Sequence, residues 1–265
     1  MRFRLYVFLY IIASINVYSQ NNQNNQKKET IKRADLLKDL NEIYAESKYP
    51  EGITKAQLTV RYSNKKIKVY KILIYHKNDN ILYTINSTNE GRILKILYNK
   101  NSLNYFIYDI INHKLYQKDI YEKLGEVLNS AFSFDDLSNR NLSEKYVPII
   151  SELTTEKDKQ YKKIKVIPAD EKDYSHLFLY RLSKDKNRLE KIEYFKKNRI
   201  LSKIIEFKYG NLTMKEKNNK SKIEYPIIWK AIDIKKETVS ILEFFSSDNI
   251  IPFEDTIFDP DKLTY

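Results

Sequence analysis

The chain alternates between short apolar runs and polar turn residues. Within residues 67–118 the runs are rich in Ile, Leu and Tyr, and clusters of Asn, Asp, Gly and Ser separate them. Runs of about five to eight residues bounded in this way are typical of strands in an antiparallel meander. Neighbouring positions of both parities are apolar, as at Val69, Tyr70, Leu73 and Ile74. The sheet is therefore predicted to be covered on both faces.

The second half of the chain repeats this pattern, and a further apolar run precedes the meander. These runs lie at 56–63, 161–168, 177–182, 189–195, 200–209, 223–234 and 238–245. Their short connections favour one domain built on a single antiparallel sheet. We therefore predict an α+β, mainly β fold with about ten or eleven strands, followed by a short closing segment at 248–263.

Two segments have helical rather than strand periodicity. The first lies within 30–47, where Thr30 is the predicted N-cap and the apolar stripe consists of Leu36, Leu37, Leu40, Ile43 and Tyr44. The second lies within 120–139 and carries Tyr121, Leu124, Val127 and Leu128. An amphipathic helix just ahead of a sheet most often packs on that sheet, so the first stripe is predicted to be core rather than a membrane-binding face.

Paired carboxylates at Asp135 and Asp136 follow the second helical segment. Such a pair is one way to build an acid–base or metal site. Adjacent residues on a helix do not share a face, however, so the pair fits poorly with a joint chemical role. We favour the interpretation that Ser133 or Asp135 caps a short helix.

The N-terminus has the pattern of a secretory signal. Arg2 and Arg4 precede an apolar run at 5–15, and small or neutral residues follow at 17–19. An uncleaved anchor is the alternative, but the run is shorter than the ~20 residues that a span needs. We predict a signal peptide at 1–20, a polar linker at 21–29, one domain at 30–265 and a periplasmic location. The absence of Cys excludes disulfides, thiolate metal sites and a lipid anchor on cysteine.

The chain is strongly basic, with a net charge of +12 and a pI of about 9.4. Its basic residues are 38 Lys and 9 Arg, dispersed among Ile, Tyr and Asn. Proteins that read nucleic-acid sequence rely on Arg, so we expect no nucleic-acid partner. An AT-rich genome explains this composition, and attraction to anionic lipid headgroups is the alternative.

The sequence contains no motif of a known reaction. His76, His113 and His176 are isolated, and none has a partner at a recognised metal-ligand spacing. Four Gly in 265 residues leave little room for a phosphate-binding or dinucleotide-binding loop. We therefore predict a protein that is not an enzyme and that has no cofactor or metal. Its function must depend on a surface.

The order of several segments resembles the LolA-like family of outer-membrane lipoprotein-sorting proteins. The resemblance spans about 36–263, and the segments that carry it are 91–97, 103–109, 132–137, 193–195, 228–230 and 258–263. It implies an exported protein with an open, strongly curved antiparallel sheet, a half-barrel, and with helices packed in the concave side. The resemblance also implies an apolar cradle that holds the acyl chains of lipids or lipoproteins, which a membrane-protein donor and acceptor would exchange.

For the cradle we select alternating positions on neighbouring strands of the meander, and ordinary core packing is the alternative for each. The predicted lipid-binding residues are Leu73, Tyr75, Leu82, Leu94, Ile96, Phe106 and Tyr108. We expect a monomer that contributes to outer-membrane lipoprotein sorting. Two other functions stay open: an envelope sensor or binding module that recognises a peptide or protein on the same sheet, and an envelope protein that binds polyanions through lysines.

Overall fold

A computed structural model describes residues 33–88, 91–99, 105–118, 125–138, 140–169, 174–183, 188–216, 219–249 and 253–264. The predicted signal peptide, linker and Thr30 cap lie outside these residues. Thirteen strands of the described chain form one sheet that does not close. They are β1 (Gly52–Arg61), β2 (Ile67–Lys77), β3 (Asn80–Ser87), β4 (Gly91–Tyr98), β5 (Tyr105–Asp109), β6 (Lys114–Lys118), β7 (Tyr146–Glu156), β8 (Lys159–Pro168), β9 (Tyr174–Leu182), β10 (Leu189–Lys196), β11 (Leu201–Glu216), β12 (Asn219–Asp233) and β13 (Thr238–Asp248).

The sheet consists of two meanders joined at their first and last strands. Its order is β6-β5-β4-β3-β2-β1-β13-β12-β11-β10-β9-β8-β7. The first meander therefore runs outward from β1 to one edge, and the second runs inward from the opposite edge to β13. Antiparallel pairing of Ile53 with Asp248 through Arg61 with Val239 joins them in the middle of the sheet.

The predicted fold class is confirmed, although the sheet has more strands than the ten or eleven expected. The apolar runs that predicted strands all correspond to strands in the structure. The strand that no run predicted is β7, which forms an edge of the sheet and contains Pro148. Proline lacks a backbone donor and is tolerated in edge strands and at bulges; Pro148 lies at both, so β7 lacks the uninterrupted apolar run of a central strand.

Side chains of each strand alternate between an inner, concave face and an outer face. On β2, for example, Tyr70, Ile72 and Ile74 are buried on the inner face, whereas Lys71 between them is exposed. Inner-face residues from β1 to β5 and from β8 to β13 form one continuous apolar cluster. The sheet curves around this cluster and encloses short helical segments, so strands that are far apart in the sheet contribute to the same cluster.

The helix α1 (Arg33–Ser47) lies on this inner face, as its apolar stripe predicted. Leu36, Leu40 and Ile43 are almost fully buried in the cluster. The chain then connects β6 to β7 by a crossover, whose described parts are 125–138 and 140–145. The strands β6 and β7 are the two edge strands of the sheet, so the crossover that joins them must span the inner face. Val127, Phe132 and three further side chains of this segment, Ala131, Phe134 and Leu137, enter the cluster.

The crossover is less regular than the helical spacing of Tyr121, Leu124, Val127 and Leu128 predicted. Its described part contains a 3-10 turn at Val127–Asn129 and two short helices, α2 (Phe134–Leu137) and α3 (Leu142–Lys145). Leu128 and Asn129 have φ values of 55° and 54°, in the left-handed region, and they end the 3-10 turn. The predicted positions Tyr121 and Leu124 lie outside the described residues.

The predicted closing segment crosses the outer face of the first meander. It forms 3-10 turns at Asp255–Phe258 and Pro260–Lys262. Phe258 and Leu263 pack with Leu82, Leu97 and Tyr108 into a second apolar cluster, which we call the outer cluster. The Lys95 ammonium donates a hydrogen bond of 2.7 Å to the Leu263 carbonyl. Because both faces of this part of the sheet are covered, residues at odd and at even positions of its strands are apolar.

Candidate functional site

The candidate site is the inner face of the sheet, together with the parts of the chain that fill it. Aromatic side chains form the floor beneath the C-terminal end of α1. Tyr49 stacks on Trp229 with ring centroids 5.8 Å apart, and it also contacts Phe244. Because these side chains bury large apolar areas, whatever occupies this face is held mainly by apolar contact.

Ion pairs fasten α1 to the edge half of the second meander. Arg181 of β9, only 3% exposed, bonds to the carboxylates of Asp39 and Glu42 on α1. Lys162 of β8 also lies 2.5 Å from Asp39. These four side chains, which we call the helix clamp, line an open polar cleft of about 360 Å³ beside Leu153 of β7. The helix is thus held by polar contacts at one side and by apolar contacts beneath.

Backbone and hydroxyl hydrogen bonds fix the crossover on the inner face. The Ser133 hydroxyl accepts from the Asp136 backbone N–H, and the Asp136 carboxylate accepts from the Ser133 N–H, so the predicted cap of α2 is confirmed as a capping box. Tyr83 donates to the Leu137 carbonyl at 2.7 Å. The Ala131 N–H donates to the hydroxyl of Ser240 on β13. The crossover is therefore anchored to both meanders.

A buried charged cluster lies between α2, α3 and β11. Asp136 pairs with Lys203 at 2.6 Å and accepts a 3.0 Å hydrogen bond from Tyr194. Asp135 pairs with Lys145 at 2.9 Å and with Arg140 at 3.0 Å. Close pairing of this kind offsets the cost of removing these charges from water.

The electrostatics of this cluster keep its members charged. Burial alone would raise the pKa of the Asp135 carboxyl, but the adjacent Lys145 and Arg140 outweigh it and lower the pKa to about 2. Burial would lower the pKa of Lys203, but the Asp136 carboxylate raises it instead. Burial and the Asp136 charge together raise the pKa of the Tyr194 phenol, which stays protonated as a donor. Asp135 and Lys203 are therefore held in their charged forms near neutral pH.

A cavity of about 60 Å³ lies next to this charged cluster. One wall is polar and includes Asp136, Arg140, Lys145 and Tyr146. The apolar part of the lining consists of Leu142, Leu189, Ile192, Ile205, Phe207 and Trp229, and Tyr194 also lines the cavity. Tyr44 and Ser47 of α1 form its roof. Pockets for small molecules usually measure about 300–1,000 Å³, so this cavity becomes a ligand site only if α1 moves.

The structure separates the seven predicted lipid-binding residues between the two faces of the sheet. Ile96 is fully buried in the inner cluster, and Leu94 packs half-buried against it. The remaining positions have the opposite parity and lie on the outer face. Leu82 and Tyr108 belong to the outer cluster there, Tyr75 and Phe106 pack against that cluster, and Leu73 lies half-buried opposite Lys55.

The closing segment covers the outer cluster, which explains the misplacement. Phe253 lies edge-on to Tyr75 with ring centroids 5.7 Å apart. From the strands alone, an apolar position that contacts α1 cannot be told from one that contacts the C-terminal segment. Only Leu94 and Ile96 of the predicted set therefore share a face with the cavity.

Apart from Asp135 and Asp136, sequence reasoning missed the charged residues of the inner face. A signal for them exists in the pattern, because Asp39 interrupts the apolar stripe of α1 between Leu36 and Ile43. Lys203 likewise occupies the inward parity of β11, in line with Ile205 and Phe207. A charge on a buried stripe requires a partner, so such positions predict buried ion pairs.

Two kinds of site are not found in the described part of the chain. No group of three or more His, Cys, Asp or Glu side chains there is arranged to hold a metal ion. No helix among these residues has the length and apolar character that a membrane span requires.

Solved structures from three organisms share this fold. A domain from Vibrio parahaemolyticus that bears the name of outer membrane lipoprotein-sorting proteins is 13% identical, and the alignment covers 90% of this chain and 99% of that one with a TM-score of 0.69. A DUF1329 family protein from Desulfovibrio piger is 13% identical over 86% and 95% of the two chains, with a TM-score of 0.68. A LolA superfamily protein from Nitrosomonas europaea is 18% identical over 87% and 99%, with a TM-score of 0.63. At these identities the likeness shows the fold.

Sequence comparison gives a family but no characterised relative. No curated protein sequence matches the chain. A family model with the description "Uncharacterized protein" matches residues 86–265, which include the last three strands of the first meander and the whole of the second. The chain therefore belongs to that family of uncharacterized proteins, and its fold is that of the LolA superfamily and the lipoprotein-sorting domains.

Proposed function

We propose that the protein is a periplasmic carrier or binder of acylated lipid or lipoprotein, without enzymatic activity. The observation that carries the proposal is the continuous apolar inner face, which the chain fills with its own α1 and crossover. Burial of apolar surface contributes about 25 cal/mol per Å², so an acyl chain in place of α1 would be held by several kcal/mol. The lipoprotein-sorting name of one structural relative, the domain from Vibrio parahaemolyticus, agrees with this chemistry.

The proposed mechanism is an exchange of one apolar occupant for another. With α1 in place, Leu36, Leu40 and Ile43 occupy the inner face, and each buried side chain of this type is worth about 1.5–3 kcal/mol. An acyl chain that displaces α1 must replace those contacts, so net affinity is moderate and release is feasible. Return of α1 covers the vacated apolar surface and completes the release.

Native mass spectrometry and lipid extraction test this proposal directly. The full chain, signal segment included, is expressed in a bacterial host and purified from the periplasm without detergent. We expect stoichiometric acyl lipid in the extract, and we expect the delipidated protein to take up a dansyl-labelled fatty acid. Protein that arrives free of lipid and takes up no labelled fatty acid would contradict the proposal.

A matched pair of variants locates the binding face. Phe207 is half-buried and lines the inner cavity, whereas Phe178 is half-buried on the outer face of β9. Phe207→Gln should weaken uptake of the labelled fatty acid at least about tenfold. Phe178→Gln makes the same chemical change on the other face and should leave uptake unchanged. A charged substitution at Ile96 would be a poorer test than these two variants. Ile96 is fully buried, so a charge there would unfold the protein.

A second candidate function rests on the free edge of the sheet. The strand β7 ends the sheet among the described residues and exposes Ile149, Ile150 and Leu153. An extended peptide can add to such an edge as a further strand. The second function, an envelope sensor or binding module, would be favoured if the purified protein carried no lipid but retained a peptide or protein partner. The Ile150→Lys variant should then lose that partner.

A further inference from the structure

The cavity under α1 has an excess of positive charge on its polar wall. Of the charged side chains that line it, Arg140 and Lys145 are cations and Asp136 is the carboxylate. Their ion-pair partners Asp135 and Lys203 add one charge of each sign. Three cations therefore face two carboxylates in a partly or fully buried site. Buried charge is costly unless it is paired, so this wall is suited to a further anion or oxygen acceptor.

One hydrogen-bond donor of the buried charged cluster also has no acceptor among the described residues. The Asp136 carboxylate accepts from Lys203, from the Ser133 N–H and from Tyr194. The Asp135 carboxylate is occupied by Lys145 and Arg140. Arginine carries donors only, and the buried Nε of Arg140 has no hydrogen-bond partner among the described residues. What the cavity lacks is thus an acceptor.

The position of the cavity relates this donor to the proposed acyl site. Its roof is formed by Tyr44 and Ser47, which belong to the last part of α1. The cavity is also lined by the apolar side chains of Ile192, Ile205 and Phe207, which lie on the inner face of β10 and β11. When α1 moves away, the cavity opens into the apolar inner face while the charged cluster stays at its end. The opened site then has a long apolar part and a short end rich in donors.

We propose that this cavity is the head subsite for an acyl ligand, whose carboxylate or ester oxygens accept hydrogen bonds from Arg140 while its hydrocarbon chain lies along the inner face in place of α1. This inference rests on the proposed function and names the chemical class of its ligand. A free carboxylate also compensates the excess positive charge, so a fatty acid binds more tightly than an uncharged molecule with the same chain. The shared chemistry is an oxygen acceptor on an acyl chain, from either a free fatty acid or an acyl ester.

The test compares hexadecanoic acid, methyl hexadecanoate and hexadecanol, which have the same chain length and differ in the head. Each displaces dansylaminoundecanoic acid from the delipidated full chain near neutral pH. We expect the acid to bind about tenfold more tightly than the alcohol, with the ester in between, because hydrogen bonds to charged groups are the stronger ones. Equal affinity of the acid and the alcohol would overturn the inference and leave the proposed function standing.

Variants of one residue distinguish recognition from support of the fold. In Arg140→Gln the preference for the acid over the alcohol should fall below about threefold, and Arg140→Lys, which keeps the charge, should retain part of it. Arg188→Gln is the matched control, because Arg188 is similarly half-buried and paired with Glu224 but does not line this cavity. If Arg140→Gln weakened the acid and the alcohol equally, its role would be structural and the head subsite would be refuted.

The two proposals fail in different ways. Absence of binding by all three hexadecyl ligands to the wild-type protein would refute the proposed function itself. Binding of all three without discrimination would refute only the head subsite. The ratio of acid to alcohol affinity in the wild-type protein decides this without any variant, so a failure of Arg140→Gln to fold does not prevent the test.

Discussion

Lys203 and Asp136 form an ion pair in which both side chains are less than a tenth exposed. Their atoms lie 2.6 Å apart, and the Lys203 ammonium also lies 4.2 Å from the ring centroid of Tyr194. Because Asp136 also caps α2, the pair ties the crossover to β11. Loss of the cation would leave a buried carboxylate without its paired charge, which is far more costly than loss of an exposed pair.

We predict that Lys203→Met lowers the free energy of unfolding by about 3–5 kcal/mol. Lys230→Met is the control, since Lys230 and Glu206 form a pair at 3.0 Å whose side chains are 42% and 48% exposed. That exposed pair should contribute less than about 1 kcal/mol. Urea unfolding of both variants measures the difference. A similar small loss in the two would show that the inner pair is hydrated in solution.

His76 is a fully buried histidine on the inner face of β2. Burial lowers the pKa of His76, the Pro50 carbonyl opposes this shift, and Lys48 reinforces it against Glu51 and Asp79. The folded protein therefore holds the imidazole neutral at pH values where the unfolded chain already binds a proton. Stability from this group is complete above the unfolded pKa of about 6.5, and it is lost as the pH falls below that value.

We accordingly expect the melting temperature to fall between about pH 7.5 and pH 5. In His76→Gln this pH dependence should be smaller, because the residue that takes up the proton on unfolding is gone. His113→Gln, with an exposed imidazole in the turn after β5, should reproduce the wild-type profile. Thermal unfolding across this pH range provides the measurement, and equal slopes in all three proteins would exclude His76 as the cause.

The elements that fill the inner face are held less firmly than the sheet beneath them. Every strand is bonded along its length to a neighbour, whereas α1 is fastened by the helix clamp and by one apolar stripe. If α1 acts as a lid, the apparent affinity for an acyl ligand depends on the fraction of molecules in which it is open. A weaker clamp should then favour the ligand.

We predict that Arg181→Met raises the affinity for the labelled fatty acid at least about fivefold, because removal of one partner of a buried pair destabilises the closed state. Lys38→Met is the control, since Lys38 is 77% exposed and only 3.9 Å from Glu42. Fluorescence titration gives the affinities, and thermal unfolding confirms that both variants are folded. A lower melting temperature without tighter binding would mean that α1 is part of the fold and not a lid.

Helices and strands were predictable where a single packing surface determines which of their residues are apolar. Leu36, Leu40 and Ile43 repeat at the spacing of a helix with one apolar face, and the capping box of α2 lies within four consecutive residues. The site was not predictable in the same way. Tyr75 and Leu82 are apolar because a segment far along the chain covers them, and nothing near them in sequence distinguishes that cover from α1.

At the scale of the whole molecule, lysines are spread over an outer surface that also carries glutamates. On the outer face of the second meander, Lys159 pairs with Glu190, and Lys191 pairs with Glu156 and Glu193. The net charge of +12 thus does not form one uniform patch there. This arrangement favours a binding mode that depends on the inner face rather than on long-range charge.

We predict that acyl affinity changes by less than about twofold when the NaCl concentration is raised from about 50 mM to about 300 mM, because buried contacts are weakly screened. Binding to a polyanion such as heparin, if it occurs, should weaken more than about tenfold over the same range through loss of counterion release. Titrations at several salt concentrations distinguish the two. A steep salt dependence for the acyl ligand would place it on the lysine-rich surface.

The pairing of β1 with β13 in the middle of the sheet has a consequence for the order in which the chain folds. Each meander pairs strands that are adjacent in sequence, so each can form as soon as it has been synthesised, but β1 must pair with β13, the last strand. At synthesis rates of about 5–20 residues per second, β1 waits on the order of ten seconds or more for its partner. During that time one side of β1 offers unpaired backbone groups to other chains. We therefore expect closure of these most distant contacts to limit the folding rate, and we expect the unpaired β1 edge to be where a chaperone has most to protect.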